Sequence, residues 1–449
     1  MLRQTLVAVA GALALTLMGT GAAHGGRESL ARTAPAHWTG TWTGTWEGAA
    51  SGTAAALPGA SIRNVVHTSV GGTAVRVRIS NRLGSLPLAL GGATLARQVP
   101  NAPKSPNALP GTMRTLTFGG RRTVTVPVGM DVVSDSVTLT VPAAANLLVT
   151  VHTPWDSGPA TYHRDALQTN FVAPQGNRVA DVSGGAYTVT TGSWFYVTGV
   201  DVLRPEAAGS VVALGDSLTD GSGSTPSANR RWPDRLAERL RDLPARRQQA
   251  VLNAGVAGNR LLLEGRGPSA LDRFDADVLS RTGVRTLIVM EGINDIKSAP
   301  NQTDPAALGA AYREIVWRAH ARGIRVVGAT LTPFGGYGGY TEARERVRQE
   351  VNRLIRGSGL FDAVVDFDAV VRDPSRPYRM LAAYDPGDHL HFNDAGMRAL
   401  ADSIDLATLA PPETAALPET GPPPGTGTGA TPATPAALAT STALATAEG

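Results

Sequence analysis

The sequence predicts two folded domains of different class, an all-β domain followed by an α/β domain with a parallel sheet. Three observations predict this division. Apolar and polar residues alternate through the first half of the chain, whereas short apolar runs alternate with helical patterns in the second half. The chain has 449 residues, 42% of them hydrophobic, which is enough for two hydrophobic cores.

The first residues have the pattern of an export signal. A charged tip, MLRQ, precedes 13 mostly apolar residues from Leu6 to Met18 and then a stretch of small residues. This run is too short to span a bilayer as a mature helix. Residues 1–25 are therefore predicted to be a cleaved signal peptide, and the mature protein is expected to be secreted and extracellular, without a membrane partner.

Residues 36–205 predict the all-β domain, with a sandwich or jelly-roll-like arrangement. In the segment TAVRVRIS, three apolar residues fall on one face of a strand: Val75, Val77 and Ile79. Tryptophans recur every four residues near the start of the domain, at Trp38, Trp42 and Trp46. This spacing places the indoles on one strand face, where packing in the core is favoured over a sugar-stacking stripe.

Residues 210–406 predict the α/β domain, joined to the first by the segment 204–210. Short runs rich in β-branched residues predict five strands, at 211–214, 250–253, 286–290, 324–330 and 363–367. Two of the intervening segments have a helical apolar face, formed by Leu308, Tyr312, Ile315, Val316 and Ala319 and by Val347, Val351, Leu354 and Ile355. Strands alternating with helices predict a five-stranded parallel sheet covered on both faces.

Residues 410–449 are rich in proline, threonine and alanine and poor in large apolar side chains, so they are predicted to form a disordered tail. The tail contains LPETG at 417–421, which resembles a cell-wall sorting signal. Neither a membrane-length apolar segment nor a positive end follows it, so coincidence or a degenerate remnant is the favoured interpretation.

Polar residues follow several of the predicted strands. Ser217, Gly258 and Asn294 follow three of them within five residues, and the segment 388–396 leads into a helix predicted over 395–406. Each residue alone is explained by a helix cap or a turn. The carboxyl ends of parallel strands lie at one edge of a sheet, however, where ligands gather. Together, the four places predict one site on that edge.

These places resemble the four sequence blocks of the SGNH, or GDSL-type, hydrolases. The blocks occur here in order as GDSL (215–218), NAGVAGN (253–259), GIND (292–295) and DHLH (388–391), within about 200 residues. The resemblance implies a flavodoxin-like hydrolase domain. The alternative α/β-hydrolase fold requires G-x-S-x-G, and no serine in this chain has glycines two positions before and after it.

The resemblance also implies a role for each residue. Ser217 would be the nucleophile, His391 the general base that removes its proton, and Asp388 the carboxylate that orients the imidazole. The oxyanion hole would be formed by the backbone N–H groups of Ser217 and Gly258 and by the side-chain amide of Asn294.

Four neighbours compete with these assignments. His389 lies in the same loop as His391, but the family spacing selects His391 with Asp388. Gly255 competes with Gly258, which is favoured because it directly precedes a polar asparagine, as in the family. Asp295 is expected to cap the following segment, and Asp216 is expected to order the turn at the nucleophile through local hydrogen bonds.

Several partner classes are disfavoured by composition. The net charge is +4 and no basic stripe with interleaved aromatics is present, so a nucleic-acid partner is not expected. Cysteine is absent, which excludes disulfides and thiol chemistry. The other histidines of the predicted mature chain lack ligand-like partners at suitable sequence spacing, so neither a metal nor another cofactor is predicted: they are His37, His67, His152, His163 and His320.

The sequence thus predicts a secreted carboxylic-ester hydrolase that works through an acyl-serine intermediate. The order of its two domains resembles exported actinobacterial esterases near the xylan-esterase-like branch, which implies removal of acetyl groups from polysaccharide. A lipase or general esterase for longer acyl chains is the alternative, and the glycine-rich, aromatic loop 332–343 would form a wall beside either site. A non-catalytic glycan-binding protein is the alternative of another class. The sequence does not predict the oligomeric state.

Overall fold

The computed structural model describes residues 37–49, 57–206 and 208–410. The predicted signal peptide, the LPETG motif and all of the predicted tail except Ala410 lie outside these residues. Within the described ranges, no helix combines the length and the apolar character that crossing a membrane requires.

Antiparallel strands make up the first part of the chain, as the alternating pattern predicts. Their bounds are Trp38–Thr43 (β1), Gly48–Ala49 (β2), Ala60–His67 (β3), Gly72–Ser80 (β4), Leu88–Leu90 (β5), Gly92–Arg97 (β6), Arg114–Thr115 (β7), Val124–Val126 (β8), Asp131–Val133 (β9), Val137–Val141 (β10), Asn146–Thr153 (β11), Thr161–His163 (β12), Asn170–Ala173 (β13), Val189–Thr191 (β14), Trp194–Phe195 (β15) and Val197–Leu203 (β16).

Two of the sheets enclose the core of this β domain. One has the order β1-β16-β4-β10, with β9 also paired to β4, and the other has the order β14-β13-β3-β11-β6-β7. Val75, Val77 and Ile79 of the first sheet pack in one buried cluster with Leu147 and Val149 of the second. The domain is therefore a sandwich, and the predicted apolar face of β4 is confirmed.

The three tryptophans pack differently from one another. Trp42 and Trp46 are buried, as expected for core residues, whereas Trp38 is half-buried with the guanidinium of Arg76 4.7 Å from its ring centre. The prediction that all three share one strand face was wrong. Strand β1 ends at Thr43, before Trp46, and its register shifts between Gly40 and Trp42.

The second part of the chain alternates strands and helices. The strands are Ser210–Gly215 (β17), Ala250–Gly255 (β18), Val284–Met290 (β19), Arg325–Ala329 (β20), Ala363–Val365 (β21), Arg372–Asp373 (β22) and Arg376–Met380 (β23). The α-helices are Ser217–Asp220 (α1), Trp232–Arg241 (α2), Ala270–Phe274 (α3), Ile293–Lys297 (α4), Pro305–His320 (α5), Glu342–Gly357 (α6), Phe367–Val371 (α7) and Asp394–Ser403 (α8). Ala245–Arg247 and Leu406–Leu409 are 3₁₀ turns, and Asp275–Leu279 is a π-helical turn.

The five predicted strands form one parallel sheet in the order β18-β17-β19-β20-β21, which confirms the predicted fold class. One face of this sheet packs against α2, α7 and α8, and the other packs against α3, α5 and α6. Apolar side chains on successive strand residues are buried on opposite faces, which explains why the strand segments are short continuous apolar runs. Leu409 is fully buried in the first of these layers, so the packed chain continues past residue 406.

The β sandwich packs directly against the edge of the parallel sheet. Backbone and side-chain hydrogen bonds join the two, from Gly40 N–H to the carbonyl of Thr282 at 3.0 Å and from Val251 N–H to Ser69 Oγ at 3.1 Å. Ala250, the first residue of β18, is buried in the same apolar cluster as the sandwich core. The two domains therefore share a continuous interface.

A buried ion triad lies within this interface. His163, at the end of β12, directs Nε2 to Oδ1 of Asp220 at 3.1 Å, and Glu47 adds a second carboxylate nearby. Burial acts to lower the pKa of His163, but the charge and hydrogen bond of Asp220, together with the charge of Glu47, outweigh it and raise the pKa to about 9. The imidazole is therefore expected to be protonated at neutral pH.

This triad predicts a pH-dependent contribution to stability. A histidine with a raised pKa stabilises the folded state fully below its unfolded pKa, near 6.5, and this stabilisation is lost as the pH rises through about 9. The free energy of unfolding of the wild type, relative to His163→Gln, should therefore fall by about 3 kcal/mol over this range, at about 1.4 kcal/mol per pKa unit. Urea denaturation at several pH values measures the difference.

His320→Gln is the matched control, because His320 pairs with Asp362 at 2.9 Å but its side chain is 46% exposed. An exposed pair contributes little to stability, so this variant should follow the wild type. A difference between wild type and His163→Gln that stays constant from pH 6 to pH 9.5 would show that folding does not raise the pKa of His163.

Candidate active site

Ser217 lies where β17 ends and the short helix α1 begins. Asp216 is the N-cap of α1, and its Oδ1 accepts a hydrogen bond from the N–H of Leu218 at 2.9 Å, as predicted for this turn. Gly215 stands close to α1, since a Cβ there would lie 2.2 Å from Thr219 Oγ1. The strand can therefore turn sharply into the helix and leave Ser217 at the edge of the sheet.

The structure brings Ser217, His391 and Asp388 into one hydrogen-bonded row. Oγ of Ser217 lies 2.9 Å from Nε2 of His391, and Nδ1 of His391 lies 2.6 Å from Oδ2 of Asp388. Oδ1 of Asp388 also accepts the N–H groups of Leu390 and His391, at 3.0 and 2.9 Å. A hydroxyl, an imidazole and a carboxylate in this order can activate a serine nucleophile.

The charge of Asp388 is supported by its neighbours. Burial alone would raise the pKa of the Asp388 carboxyl, but its hydrogen bonds from the ring and N–H of His391 hold it below its usual range. Asp388 therefore stays ionised at neutral pH, and the exposure of about half of its side chain also favours the charged form. An ionised carboxylate at Nδ1 keeps Nε2 of the ring free to accept the serine proton.

The loop that carries His391 is tied to the chain that follows α1. Asp394 accepts hydrogen bonds from the N–H and the hydroxyl of Thr225, both at 2.8 Å, and from Arg230 at 2.8 Å. Gly223 has φ +92°, and a Cβ there would lie 2.5 Å from the carbonyl of Phe392. Only glycine fits this close approach, which holds the imidazole beside the serine.

His389 lies apart from this row and has its own partner. Its Nδ1 is 2.5 Å from Oδ2 of Asp385, and its backbone has φ +64°, which is unusual for a residue other than glycine. Gly336, in the loop 332–343, packs against the ring of His389. The left-handed backbone turns this side chain away from the direction that His391 takes.

The structure distinguishes the two glycines of the second block. Gly255 belongs to β18, and its N–H donates to Oδ1 of Asn253 at 2.9 Å. Gly258 has φ +78° in a turn closed by a hydrogen bond from Asn259 N–H to the carbonyl of Val256 at 3.0 Å. Within the described ranges, the N–H of Gly258 donates to no protein acceptor, and neither does the N–H of Ser217. Both remain available to a developing oxyanion.

The third predicted oxyanion donor, the side-chain amide of Asn294, already forms two hydrogen bonds within the protein. Its Nδ2 donates to Oδ2 of Asp216 at 3.1 Å and to the carbonyl of Asn259 at 2.8 Å. An amide group has two protons, and both are directed at these acceptors. Donation to a substrate oxygen therefore requires that Asn294 share one of these hydrogen bonds.

Asp295 corrects one sequence prediction. It lies within α4, whose N-cap is Gly292 and has no side-chain hydrogen bond, and the next helix, α5, is capped by Asp304. The carboxylate of Asp295 instead accepts the N–H groups of Leu261 and Leu262, at 2.7 and 2.9 Å. Asp295 thus fastens the chain after β18 to the chain after β19.

Arg273 is a buried residue that sequence reasoning missed. From α3 it donates to the carbonyls of Gly215 and Ala254, at 3.0 and 2.8 Å, and to Oδ1 of Asn259 at 2.9 Å. These acceptors lie at the ends of two strands and in the turn after one of them. Its position four residues before Asp277, within an apolar helix face, was the only sequence signal that could have revealed it.

Buried carboxyls lie behind the site. Burial raises the pKa of Asp216 to about 7, and burial together with the charge of Asp216 raises that of Glu291, while Arg273 opposes the shift of both. Both oxygens of Glu291 lack a hydrogen-bond partner within the described residues, and Arg273 lies 3.7 Å away. These shifts favour protonation, which reduces the charge buried behind Ser217.

One cluster in the described part of the chain has the spacing of metal ligands. Glu47, His163 and Asp220 each offer a ligand atom within 4.8 Å of the others. The sequence prediction that His163 lacks such partners was wrong, because both carboxylates are more than 50 residues away in the chain. The raised pKa of His163 nevertheless favours a proton on the nitrogen that a metal would need. In the absence of a bound metal, the cluster is therefore an ion triad.

Residues 213–399 match the GDSL-like Lipase/Acylhydrolase family. This match covers most of the α/β domain, contains all five predicted site residues and does not include the β sandwich. The match supports the predicted esterase or acylhydrolase activity of the α/β domain. A comparison with curated proteins finds none that matches the chain.

Several solved structures are similar to part of the chain. The M. smegmatis aryl esterase is 17% identical, with 43% of this chain and 94% of that chain covered and a TM-score of 0.35. The acetyl xylan esterase AlAXEase is 20% identical, with coverage of 43% and 96% and a TM-score of 0.34. A GDSL-like lipase from Bacteroides thetaiotaomicron is 17% identical, with coverage of 44% and 86% and a TM-score of 0.34.

The two histidines of the last block predict different effects on turnover. His391→Ala removes the base that lies 2.9 Å from the serine hydroxyl, so kcat should fall about 10⁴-fold. His389→Ala removes only a partly exposed hydrogen bond to Asp385 and should change kcat by no more than a few-fold. Steady-state hydrolysis of p-nitrophenyl acetate by the two purified variants measures this. Equal losses in both would contradict the assignment of His391 as the base.

Proposed function

We propose, on the premise that residues 213–399 form a GDSL-type hydrolase domain, that this protein is a secreted esterase that removes short acyl groups, above all acetyl groups, from polysaccharide. The proposed ester hydrolysis is supported by the hydrogen-bonded row of Ser217, His391 and Asp388, with contacts of 2.9 and 2.6 Å. Secretion is proposed from the sequence of residues 1–25.

The proposed reaction begins with attack by Ser217 on the ester carbonyl. Nε2 of His391 takes the hydroxyl proton as the new C–O bond forms, and the carbonyl π electrons move to the oxygen. When the tetrahedral intermediate collapses, the bond to the alcohol breaks and His391 returns the proton to the leaving alkoxide. Water then attacks the acyl-serine in the same way, releasing the carboxylic acid and restoring Ser217.

The negative charge on the substrate oxygen needs donors that are already in place. The free N–H groups of Ser217 and Gly258 provide two, and Asn294 provides a third when it shares its hydrogen bond with Asp216. Preset donors of this kind stabilise the intermediate more than the ground state, and each contributes about a hundred- to a thousandfold in rate.

The proposed preference for acetylated polysaccharide is supported by the order of the domains, an exported β domain followed by the hydrolase unit. A preference for longer or aromatic acyl groups is favoured by a different observation. The loop 332–343 carries Phe334 and Tyr340, whose ring centres are 5.4 Å apart, and Tyr340 also packs on Tyr378 at 5.8 Å. This aromatic group adjoins Gly336, which contacts His389, and would form one apolar wall of the cleft.

A non-catalytic glycan-binding role is the remaining alternative, and the intact hydrogen-bonded row argues against it. Covalent labelling tests the choice. A fluorophosphonate probe reacts only with an activated serine, so the wild type should be labelled and Ser217→Ala should not. Ser222→Ala, in which the neighbouring serine is changed, is the matched control and should be labelled like the wild type. If the probe labels neither the wild type nor Ser222→Ala, the proposed hydrolase activity is contradicted.

Substrate choice predicts a second outcome. The kcat/KM for p-nitrophenyl esters should fall as the acyl chain lengthens from two to eight carbons, and acetate should be released from acetylated xylan. If the aromatic loop instead binds long chains, kcat/KM should rise with chain length, and Tyr340→Ala should weaken that rise. If no acetate is released from acetylated xylan and kcat/KM is highest for the octanoate ester, the proposed substrate class is contradicted.

A further inference from the structure

We propose that the β sandwich is part of the catalytic machinery, because its residue His163 is a positioning residue that fixes Asp220 between the nucleophile helix and the oxyanion turn. This inference rests on the proposed function and adds to it a residue from outside the hydrolase family match, which begins at residue 213. The contacts that support this inference form a continuous series from the sandwich to the predicted oxyanion hole.

The series of contacts begins in the sandwich, where His163 is held on several sides. Its Nδ1 donates to the carbonyl of Thr45 at 2.6 Å, and its ring lies 5.2 Å from that of Trp194. Only 4% of the His163 side chain is exposed. With Nδ1 bound to the backbone and the ring packed, Nε2 has one direction available, and it points to Oδ1 of Asp220 at 3.1 Å.

Asp220 connects the two elements that carry the predicted oxyanion donors. It is the last residue of α1, the helix that starts at Ser217, and its N–H donates to the carbonyl of Asp216 at 2.8 Å. Its Oδ2 accepts the N–H of Ala257 at 3.1 Å. Ala257 immediately precedes Gly258 in the turn, so the position of Asp220 sets where the free N–H of Gly258 points.

The backbone packing leaves little freedom at this junction. A Cβ on Gly255 would lie 2.2 Å from the backbone nitrogen of Asp220, so β18 and α1 are in direct contact. Both oxygens of the Asp220 carboxylate are thereby committed, one to the sandwich through His163 and one to the turn through Ala257. If His163 is removed, this buried carboxylate loses its only cationic hydrogen-bond donor within the described residues.

The carboxylates near position 163 require a hydrogen-bond donor there. Glu47 faces the same cluster, and its Oε2 has no hydrogen-bond partner in the described ranges, while Arg164 lies 3.7 Å from it. Without the imidazolium, two buried carboxylates would face each other with no proton donor between them. Asp220 would then move away from Glu47, and the turn bonded to it would move as well.

Such a movement should affect the transition state more than substrate binding. Oxyanion donors act at defined distances from the developing charge, so a small displacement of Gly258 N–H reduces kcat without changing contacts to the bound ester. A residue that served only to stabilise the fold would instead reduce the amount of active enzyme and leave the remaining molecules unchanged.

The test uses the full chain with His163→Gln, which removes the imidazolium and its charged contact with Asp220 but keeps a polar side chain. Kinetics of p-nitrophenyl acetate hydrolysis should show kcat reduced about ten- to a hundredfold with KM within about threefold, since roughly one oxyanion interaction is weakened. The affinity for a phenylboronic acid, which forms a tetrahedral adduct with serine, should fall by the same factor as kcat/KM. The concentration of active sites is measured by titration with a fluorophosphonate, so that kcat is expressed per active site.

His152→Gln is the matched control. His152 is also a buried histidine of the sandwich with Nδ1 bonded to a backbone carbonyl, that of Ala60 at 2.9 Å, but its bond stays inside the β domain. It should leave kcat per active site unchanged. Asp220→Asn should lower kcat like His163→Gln, and the double variant should be no worse than either single one, because both remove the same contact.

Two outcomes would overturn the inference. One is a kcat per active site within twofold of the wild type in His163→Gln, and the other is an additive loss in the double variant. If His163→Gln does not fold, Asp220→Asn alone decides by the same two readouts, kcat and boronic-acid affinity. If the wild type itself neither hydrolyses the ester nor reacts with the probe, the proposed function fails, which is distinct from failure of the role of His163.

Discussion

The parallel pairing of β17 with its two neighbours is the constraint on which the site depends. Gly215, the last residue of β17, is paired with Gly255 of β18 and with Met290 of β19. Because the three strands end at the same level, the segments that follow them start side by side. Ser217, the Gly258 turn and Asn294 meet at this edge for that reason, although the first and last are 77 positions apart in sequence.

A buried polar network keeps this edge in place. Arg273 binds the carbonyls at the ends of β17 and β18, and Asp295 binds the chain after β18 from the helix after β19. Such groups cost free energy to bury unless nearly every donor and acceptor is satisfied. The oxygens of Glu291 are an exception among the described residues, and the raised pKa of its carboxyl is consistent with relief of that cost by protonation.

The β sandwich meets the hydrolase domain on the side of β18, next to the turn that carries Gly258. Its contacts include backbone hydrogen bonds, an apolar cluster that contains Ala250, and the buried pair of His163 with Asp220. This interface is built like a domain interior, with buried charge that is hydrogen-bonded on both sides. A movable accessory module would not need such an interface. The position of the sandwich is therefore coupled to the geometry of the site.

The sequence by itself determined the fold class, because the periodicity of apolar residues is a local property that each strand or helix carries alone. It also predicted a site formed by Ser217, Gly258, Asn294, Asp388 and His391, since their motifs follow predicted strands and resemble family blocks. Only the tertiary structure decided which glycine has a free N–H, that Asp295 bridges two loops, and that Asn294 is already hydrogen-bonded. It alone revealed the roles of Arg273 and His163, because their partners are distant in the chain and no local pattern records a contact made by folding.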